Sequence, residues 1–337
     1  MQALKGIPSA AFVVALVVAL LVTPLVRRFA ERAGALARPD ARRKHPHPIA
    51  QWGGLAVFLG VLAAAILWRQ PSLHDIRLLA PSGSAADIAT TSRTLHLSGA
   101  FFGCGALIVL LGMVDDRYEL APAPKLLGQV LIVSLLWWLG VRIRSLPFSA
   151  GTQELSSAAS FVFTLLWVLG LINALNFIDG VDGLAAGICA IASGTMCLVL
   201  LGSASWAATA SAALCGACLG FLRHNFHPAR IFLGDTGAML LGFWMATIGI
   251  SANAKTAAGT SLLMPLIALA VPVLDTLWAI ARRTLARQPW WRADRGHIHH
   301  RLLSRGLTPV KTVLVLYGVS LVLGASIVMW TWTRGRP

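Results

Sequence analysis

Charge is what this sequence has least of. Asp, Glu, Lys and Arg together make up 12% of its 337 residues, against roughly 25% in a soluble domain. Acidic side chains are the scarcer sign, at thirteen. Between the apolar runs no segment is long enough to bury a core of its own, so no appended soluble domain is expected and 1–337 reads as one domain. Cysteine is sparse as well, and all five cysteines lie inside apolar runs. Cys215 and Cys218 form a CxxC, but inside a span they read as two small helix residues, and neither a redox motif nor a zinc site follows. The net charge of +15 does not imply nucleic acid, because the basic residues flank apolar spans and form no stripe on a soluble module. Internal repeats and low-complexity tracts are absent too.

What is present is apolar sequence, 57% hydrophobic with a mean hydropathy of +0.73. It comes in long runs rather than at a period of two or 3.6, the pattern of many transmembrane helices. The expected fold is therefore an all-α polytopic membrane protein with about ten spans (ten or eleven). They fall near 8–28, 52–68, 98–114, 125–140, 159–176, 184–201, 205–222, 237–252, 259–281 and 312–332. The first run is followed by Arg27 and Arg28 and reads as a retained helix rather than a cleaved signal. Stretch 69–97 is polar and expected to be irregular. The odd-numbered loops carry 19 of the 28 basic residues. The positive-inside rule then makes those loops cytoplasmic and both termini external.

Against that background the few acids are informative. Asp115, Asp116, Asp179, Asp182 and Asp235 all fall at cytoplasmic span ends, and His45, His47, His224, His227, His297, His299 and His300 fall on the same side. An acid at mid-bilayer costs about 2.5–3.5 kcal/mol. Gathering five at one face avoids that cost and makes an aqueous site, which favours an enzyme with a cytosolic substrate. A transporter more often places its charges near the midplane on broken helices.

Four blocks carry the chemistry. In GMVDDRYEL the adjacent carboxylates Asp115 and Asp116 repel unless a cation or a proton lies between them; a solvated helix end is the plain alternative. Lys125, ten residues on, reaches a phosphate or anchors its helix at the headgroups. NALNFIDGVDGLAAG, residues 173–187, sets Asn176, Asp179 and Asp182 three apart with Gly180 and Gly183 breaking the helix; such a loop suits a divalent cation and hydroxyl-rich ligands. In RHNFHPARIFLGDTGAMLLG, residues 223–242, Asp235 opens a helix whose backbone N–H groups can hold phosphate while the carboxylate holds Mg²⁺. Asn225 and Phe232 are placed to hydrogen-bond and stack a base, or simply to pack. In DRGHIHHRLLSRG, residues 294–306, His297, His299 and His300 with Arg295 and Arg301 form a cationic cluster suited to a pyrophosphate, with zinc as the rival ligand. Asp275, in VPVLDT, lies within a span and stays unassigned between a functional role and helix packing.

In this order the blocks resemble the polyprenyl-phosphate N-acetylhexosamine-1-phosphate transferase family over nearly all of residues 10–310. HIHH followed by Arg301 and Leu302 is similar to the branch that moves N-acetylglucosamine-1-phosphate onto undecaprenyl phosphate to begin a cell-surface polysaccharide. The peptidoglycan branch usually carries three consecutive histidines. The resemblance implies Asp115 and Asp116 in catalysis, Asp235 as magnesium ligand (Mn²⁺ as a substitute) and Asn176 at the metal and phosphates. It implies Asp179, Asp182, Asn225 and Phe232 around the uridine, Lys44 and Lys125 at phosphates, and His297, His299 and His300 at the sugar nucleotide. The expected partners are UDP-GlcNAc or another UDP-N-acetylhexosamine, undecaprenyl phosphate and membrane lipid, with a homodimer allowed; the expected location is the bacterial inner membrane. One block departs from the family's Pro-x-Pro-Arg-x-Gly-Gly: here it reads Pro48-Ile49-Ala50-Gln51-Trp52-Gly53-Gly54, without the second proline and the arginine. A lipid-linked sugar or nucleotide transporter and a non-catalytic membrane scaffold are the readings of other classes.

Overall fold

The computed structural model describes residues 7–37, 47–67, 85–146, 154–201, 206–253, 262–287 and 296–333, those of 85–96 by backbone alone. Lys44, His45 and Arg295 lie outside the described residues. Within them the chain forms α1 (Ile7–Ala33), β1 (Leu36–Ala37), β2 (Ile49–Ala50), α2 (Gly53–Leu67), α3 (Ala85–Tyr118) and α4 (Pro122–Trp138). There follow α5 (Ser157–Ile178), α6 (Leu184–Leu200), α7 (Trp206–Asn225), α8 (Gly234–Asn253), α9 (Leu263–Ala268), α10 (Ala270–Leu285), α11 (Ile298–Ser304) and α12 (Pro309–Thr333). Among the described residues five helices are long and apolar enough to cross a membrane: Pro8–Ala33, Leu97–Tyr118, Ser157–Ile178, Trp206–Asn225 and Pro309–Thr333. Gly53–Leu67 and Leu184–Leu200 are shorter apolar helices. The protein is thus an integral, polytopic membrane protein, and the expected ten spans include elements shorter than a full crossing.

Two expectations are corrected. The polar stretch before the third span is helical from Ala85, so α3 runs 34 residues. The expected span 259–281 is interrupted: α9 ends at Ala268 and α10 starts at Ala270. The reason is Pro272, which has no N–H to give the carbonyl of Ala268 and whose ring crowds that carbonyl. Leu269 turns between the two helices, at φ −103° and ψ 25°.

α8 is the axis of the bundle. It packs against α2, α3, α5, α6, α7 and α9, and residues 236–252 are buried without a break. Small residues let its neighbours come close. A Cβ on Gly112 of α3 would lie 2.6 Å from Thr236 N, and one on Gly54 would overlap the backbone of Gly237. In α7, Gly216 and Gly220 lie against the carbonyls of Phe12 and Leu16, a small-xxx-small seam on α1. Midway down, Trp244 stacks on Phe101 at 4.9 Å and donates its Nε1–H to the Phe101 carbonyl at 3.3 Å, so the indole is buried with its polar atom satisfied.

The start of α8 is tied to the first loop through backbone hydrogen bonds. β1 and β2 pair antiparallel, Leu36 opposite Ala50 and Ala37 opposite Ile49. Phe232 N donates to Ala50 O at 2.8 Å, Gly53 N to Phe232 O at 3.0 Å and Gly54 N to Leu233 O at 3.1 Å. Trp52 turns the chain at φ +71° and donates Nε1–H to Met113 O at 3.2 Å.

Candidate active site

Three helix ends meet at the start of α8. The last turn of α3 brings Asp115 and Asp116, the first turn of α4 brings Lys125, and the last turn of α5 brings Asn176. Lys125 Nζ lies 2.7 Å from Asp115 Oδ2 and 2.7 Å from Asp235 Oδ1. Asn176 Nδ2 donates to the same Asp235 Oδ1. Asp115 is held from behind by Leu120 N, which donates to its Oδ1 at 3.0 Å. The cluster opens at Asp235, whose side chain is 32% exposed, while that of Asp115 is 5% exposed.

The neighbouring acids have different work. Asp116 Oδ1 accepts from Asp235 N at 2.8 Å, and its Oδ2 accepts from Thr236 N at 3.1 Å and from Thr236 Oγ1 at 2.6 Å. It therefore caps α8 from across the bundle. This corrects the expectation that the helix start holds phosphate: the N–H groups of residues 235 and 236 are already given to a carboxylate, which a helix N-terminus favours as it would a phosphate. Thr236 is a member the sequence reading missed, though its place in Gly-Asp-Thr-Gly was a signal.

Below the cluster lies a polar layer also missed. Asn173 Nδ2 donates to Gln129 Oε1 at 3.1 Å, and Gln129, 1% exposed, donates to Met239 Sδ at 3.1 Å. Gln129 is four residues after Lys125 and Asn173 three before Asn176, so this pair fixes α4 and α5 one turn beneath the residues that meet Asp235. A buried amide in an otherwise apolar span was the available signal.

The 179–183 loop is braced rather than loose. Asp182 Oδ2 accepts from His227 Nδ1 at 2.8 Å and Ala229 N at 3.1 Å. Asn225 is buried; its Oδ1 accepts from Gly183 N at 3.1 Å and its Nδ2 donates to Ile231 O at 3.0 Å. Its amide thus takes the packing alternative, joining the loop to the segment before α8. Gly183 starts α6 at φ +79°, and its carbonyl accepts from Tyr317 Oη of α12 at 2.6 Å. Gly187 leaves the room for that phenol, since a Cβ there would overlap it. Nothing in the sequence singled out Tyr317. Phe232 is half-buried, with its backbone N and O both in the link to the first loop. Asp179 caps the end of α5.

The histidine block adjoins this loop. His297 and Phe177 stack at 5.9 Å, His297 and His299 lie parallel at 5.9 Å, and His299 and His300 are 4.2 Å apart. His299 is 1% exposed, and a Cβ on Gly180 would sit 2.5 Å from its Nε2. Arg301 is exposed. Among the described residues no three His, Cys, Asp or Glu side chains are arranged to hold a metal, so the zinc alternative gains no geometric support. For Mg²⁺ the requirement is lighter, one or two carboxylates with water and phosphate completing the shell. The paired oxygens of Asp115 and Asp235, already bridged by one ammonium, fit that donor set.

Burial pushes His299 down from the usual 6.5 to about 3, and the neighbouring His300 and His297 add to the shift, against the opposing charge of Asp275. The ring is neutral in the folded chain. Between about pH 6.5 and 3 the unfolded chain binds a proton that the folded chain refuses, so stability is full above pH 6.5 and is lost as pH falls through that window. Thermal midpoints measured in detergent from pH 7.5 to 4.5 should fall more steeply for the native chain than for His299→Gln, which has no ring to titrate.

The profile described as glycosyl transferase family 4 matches residues 98–253. The chain is 36% identical to a probable undecaprenyl-phosphate N-acetylglucosaminyl 1-phosphate transferase of Bacillus subtilis, over 95% of this chain and 84% of the relative. It is 36% identical to a decaprenyl-phosphate N-acetylglucosaminephosphotransferase of Mycobacterium tuberculosis, over 90% of this chain and 77% of the relative. It is 32% identical to a phospho-N-acetylmuramoyl-pentapeptide-transferase of Moorella thermoacetica, over 92% of this chain and 94% of the relative.

Proposed function

We propose, from the premise that the chain belongs to the polyprenyl-phosphate N-acetylhexosamine-1-phosphate transferases of glycosyl transferase family 4, that it transfers N-acetylglucosamine-1-phosphate from UDP-N-acetylglucosamine to undecaprenyl phosphate. The observation that carries this reading is Lys125 bracketed at 2.7 Å by Asp115 and Asp235, with Asn176 on the same Asp235 oxygen. Both reactants are anions, so the reaction needs charge neutralisation and alignment more than covalent chemistry.

Asp235, with Asp115 and Asn176 beside it, would hold Mg²⁺, with Mn²⁺ as a substitute. Bound there, the ion supplies positive charge to the donor diphosphate. Lys125, 2.7 Å from both carboxylates, would orient a phosphate oxygen. The histidine block and Arg301 would clamp the diphosphate. An oxygen of the lipid phosphate then forms a bond to the β-phosphorus of the donor. The bond from that phosphorus to the bridging oxygen breaks, and UMP leaves. Asp115 would take any proton left on the lipid phosphate, and a second pKa of about 6 leaves little to remove at pH 7. Asp116, with both oxygens on the start of α8, holds the frame. Trapping a phosphorylated Asp in a single turnover would overturn this direct route.

N-acetylglucosamine as the sugar is supported by the HIHH block followed by Arg301 and by the 36% identity to the Bacillus and Mycobacterium relatives named for that sugar. Similarity to the Moorella enzyme over nearly its whole length gives UDP-MurNAc-pentapeptide as the second reading. The site faces the cytoplasm of a bacterial inner membrane, where the donor is made, and the product begins a cell-surface polysaccharide.

The test uses purified protein in detergent with undecaprenyl phosphate, Mg²⁺ and each labelled UDP-sugar in parallel. Lipid product and UMP from UDP-GlcNAc, abolished by EDTA, are expected. Product only from UDP-MurNAc-pentapeptide or UDP-GalNAc would replace the donor. Absence of lipid product from every donor, with folded protein, would overturn the reading in favour of transport.

A further inference from the structure

Asp275 lies outside the Asp235 cluster and the 179–183 loop. It lies on α10, five residues after that helix begins, and is 9% exposed. Both of its oxygens are used across a gap of more than twenty residues. Oδ2 is 2.7 Å from His297 Nδ1, and Oδ1 accepts from Ile298 N at 2.8 Å. The His297 side chain is 7% exposed, so little water competes for the pair. The HIHH run is thus pinned at its first two residues, His297 and Ile298, by one buried carboxylate.

The chemistry of the two partners explains why the residue is acidic. A backbone N–H can only donate. A histidine Nδ1 facing a carboxylate oxygen must also donate. Two donors converging on one side chain need an acceptor at each branch, which Asp supplies and Asn does not. The pairing fixes the proton of His297 at Nδ1 and leaves Nε2 as the corner of the ring that meets other groups. A histidine held from behind by a carboxylate is the arrangement that orients imidazoles in metal sites and hydrolases. The ring so held stacks at 5.9 Å on Phe177, next to Asn176, and at 5.9 Å on His299, which packs against Gly180. His297 therefore faces the seam between the Asp235 cluster and the 179–183 loop, where a nucleotide diphosphate would lie.

We propose that Asp275 is a positioning residue that fixes the Nδ1-protonated form of His297 and so aims its Nε2 at the diphosphate of the nucleotide-sugar donor. The inference rests on the transferase reading above for the identity of that anion. Its structural half does not.

The experiment has two arms. In the first, the full-length protein in detergent micelles is labelled with ¹⁵N-histidine, and the His297 ring is assigned by its loss in His297→Gln. A proton on Nδ1 is expected; a bare Nδ1 overturns the proposal with no carboxylate variant needed. In the second, kcat and KM for UDP-GlcNAc are measured for Asp275→Asn, His297→Gln and the double variant. Asp275→Asn should lower kcat/KM by about 10²-fold, the scale seen when a partner behind a working histidine is lost. It should also move the ring proton to Nε2. In the His297→Gln background the same change should add less than twofold. Losses that multiply in the double variant would overturn the proposal, because Asp275 would then act through something other than His297. An inactive native chain that still shows the Nδ1 proton would strike the transferase reading and leave the pairing in place.

Discussion

Asp235→Asn should lower kcat/KM by about 10³-fold, or ~4 kcal/mol of transition-state stabilisation, while leaving the protein folded. The substitution keeps size and backbone. The N–H of residue 235 still caps onto Asp116, and the amide oxygen can still accept from Asn176. What goes is the charge. Lys125 is left with Asp115 alone, and the proposed Mg²⁺ position keeps one carboxylate where it had two. Stability should move little, because the lost ion pair is offset by relief of repulsion between Asp235 and the two aspartates at the end of α3. Two measurements together decide it: turnover of UDP-GlcNAc across a Mg²⁺ titration, and the thermal midpoint. Activity within tenfold of the native chain, at the same Mg²⁺ dependence, would remove Asp235 from the site.

The second large effect is expected from one methyl group. Gly112→Ala puts a carbon 2.6 Å from Thr236 N and 2.9 Å from Asp235 C, where an unstrained contact needs about 3.5–4.0 Å. These are backbone atoms in the two helices, so neither can rotate aside; α3 and α8 must separate by roughly 1 Å. Overpacking of this kind costs about 1–3 kcal/mol, only partly offset by the better helix propensity of alanine. The same displacement draws Asp116 off its three hydrogen bonds to residues 235 and 236. Turnover should fall to about 1% or less, as about 1 Å of misplacement at a catalytic group costs about 10²-fold, and the thermal midpoint should fall with it. Gly103→Ala is the control on the same helix. Nothing lies within 4 Å of a Cβ there, so that variant should be as stable as the native chain or slightly more. Equal behaviour of the two variants would show that the crossing at Gly112 is not what sets the site.

These sites differ in how far the sequence disclosed them. Apolar runs located the helices well because a bilayer demands long uninterrupted hydrophobicity, and α5, α6 and α7 end within three residues of where the runs end. Local rules that act inside a run were harder to read. Pro272 breaks the run 259–281 although hydropathy passes over it, and the helical start of α3 is polar, so hydropathy misses it. In the site, the clustering of Asp115, Asp235, Lys125 and Asn176 followed from their all standing at ends of spans on one face. The division of labour between Asp115 and Asp116 did not. Two adjacent aspartates look alike in a sequence; only the position of the start of α8 makes one a cap and leaves the other beside Lys125. Asp275 was conspicuous as an acid in an apolar segment, but its partner lies more than twenty residues away and no periodicity links them. Tyr317 and Gly187 are ordinary residues of apolar helices, and their contact depends on how α12 lies on α6.

The burial of α8 has a consequence for the membrane itself. A bilayer acts on a protein through the surfaces that touch its acyl chains, and thickness mismatch is absorbed there by tilt. α1, α4 and α12 present Leu21, Leu131 and Val322, all more than half exposed, to that surroundings. α8 presents nothing from 236 to 252. A thinner or thicker bilayer can therefore lean the outer helices without a direct hold on the one that carries Asp235. Reconstituted into lipids of different chain length, the protein should keep its chemistry while its outer helices adjust.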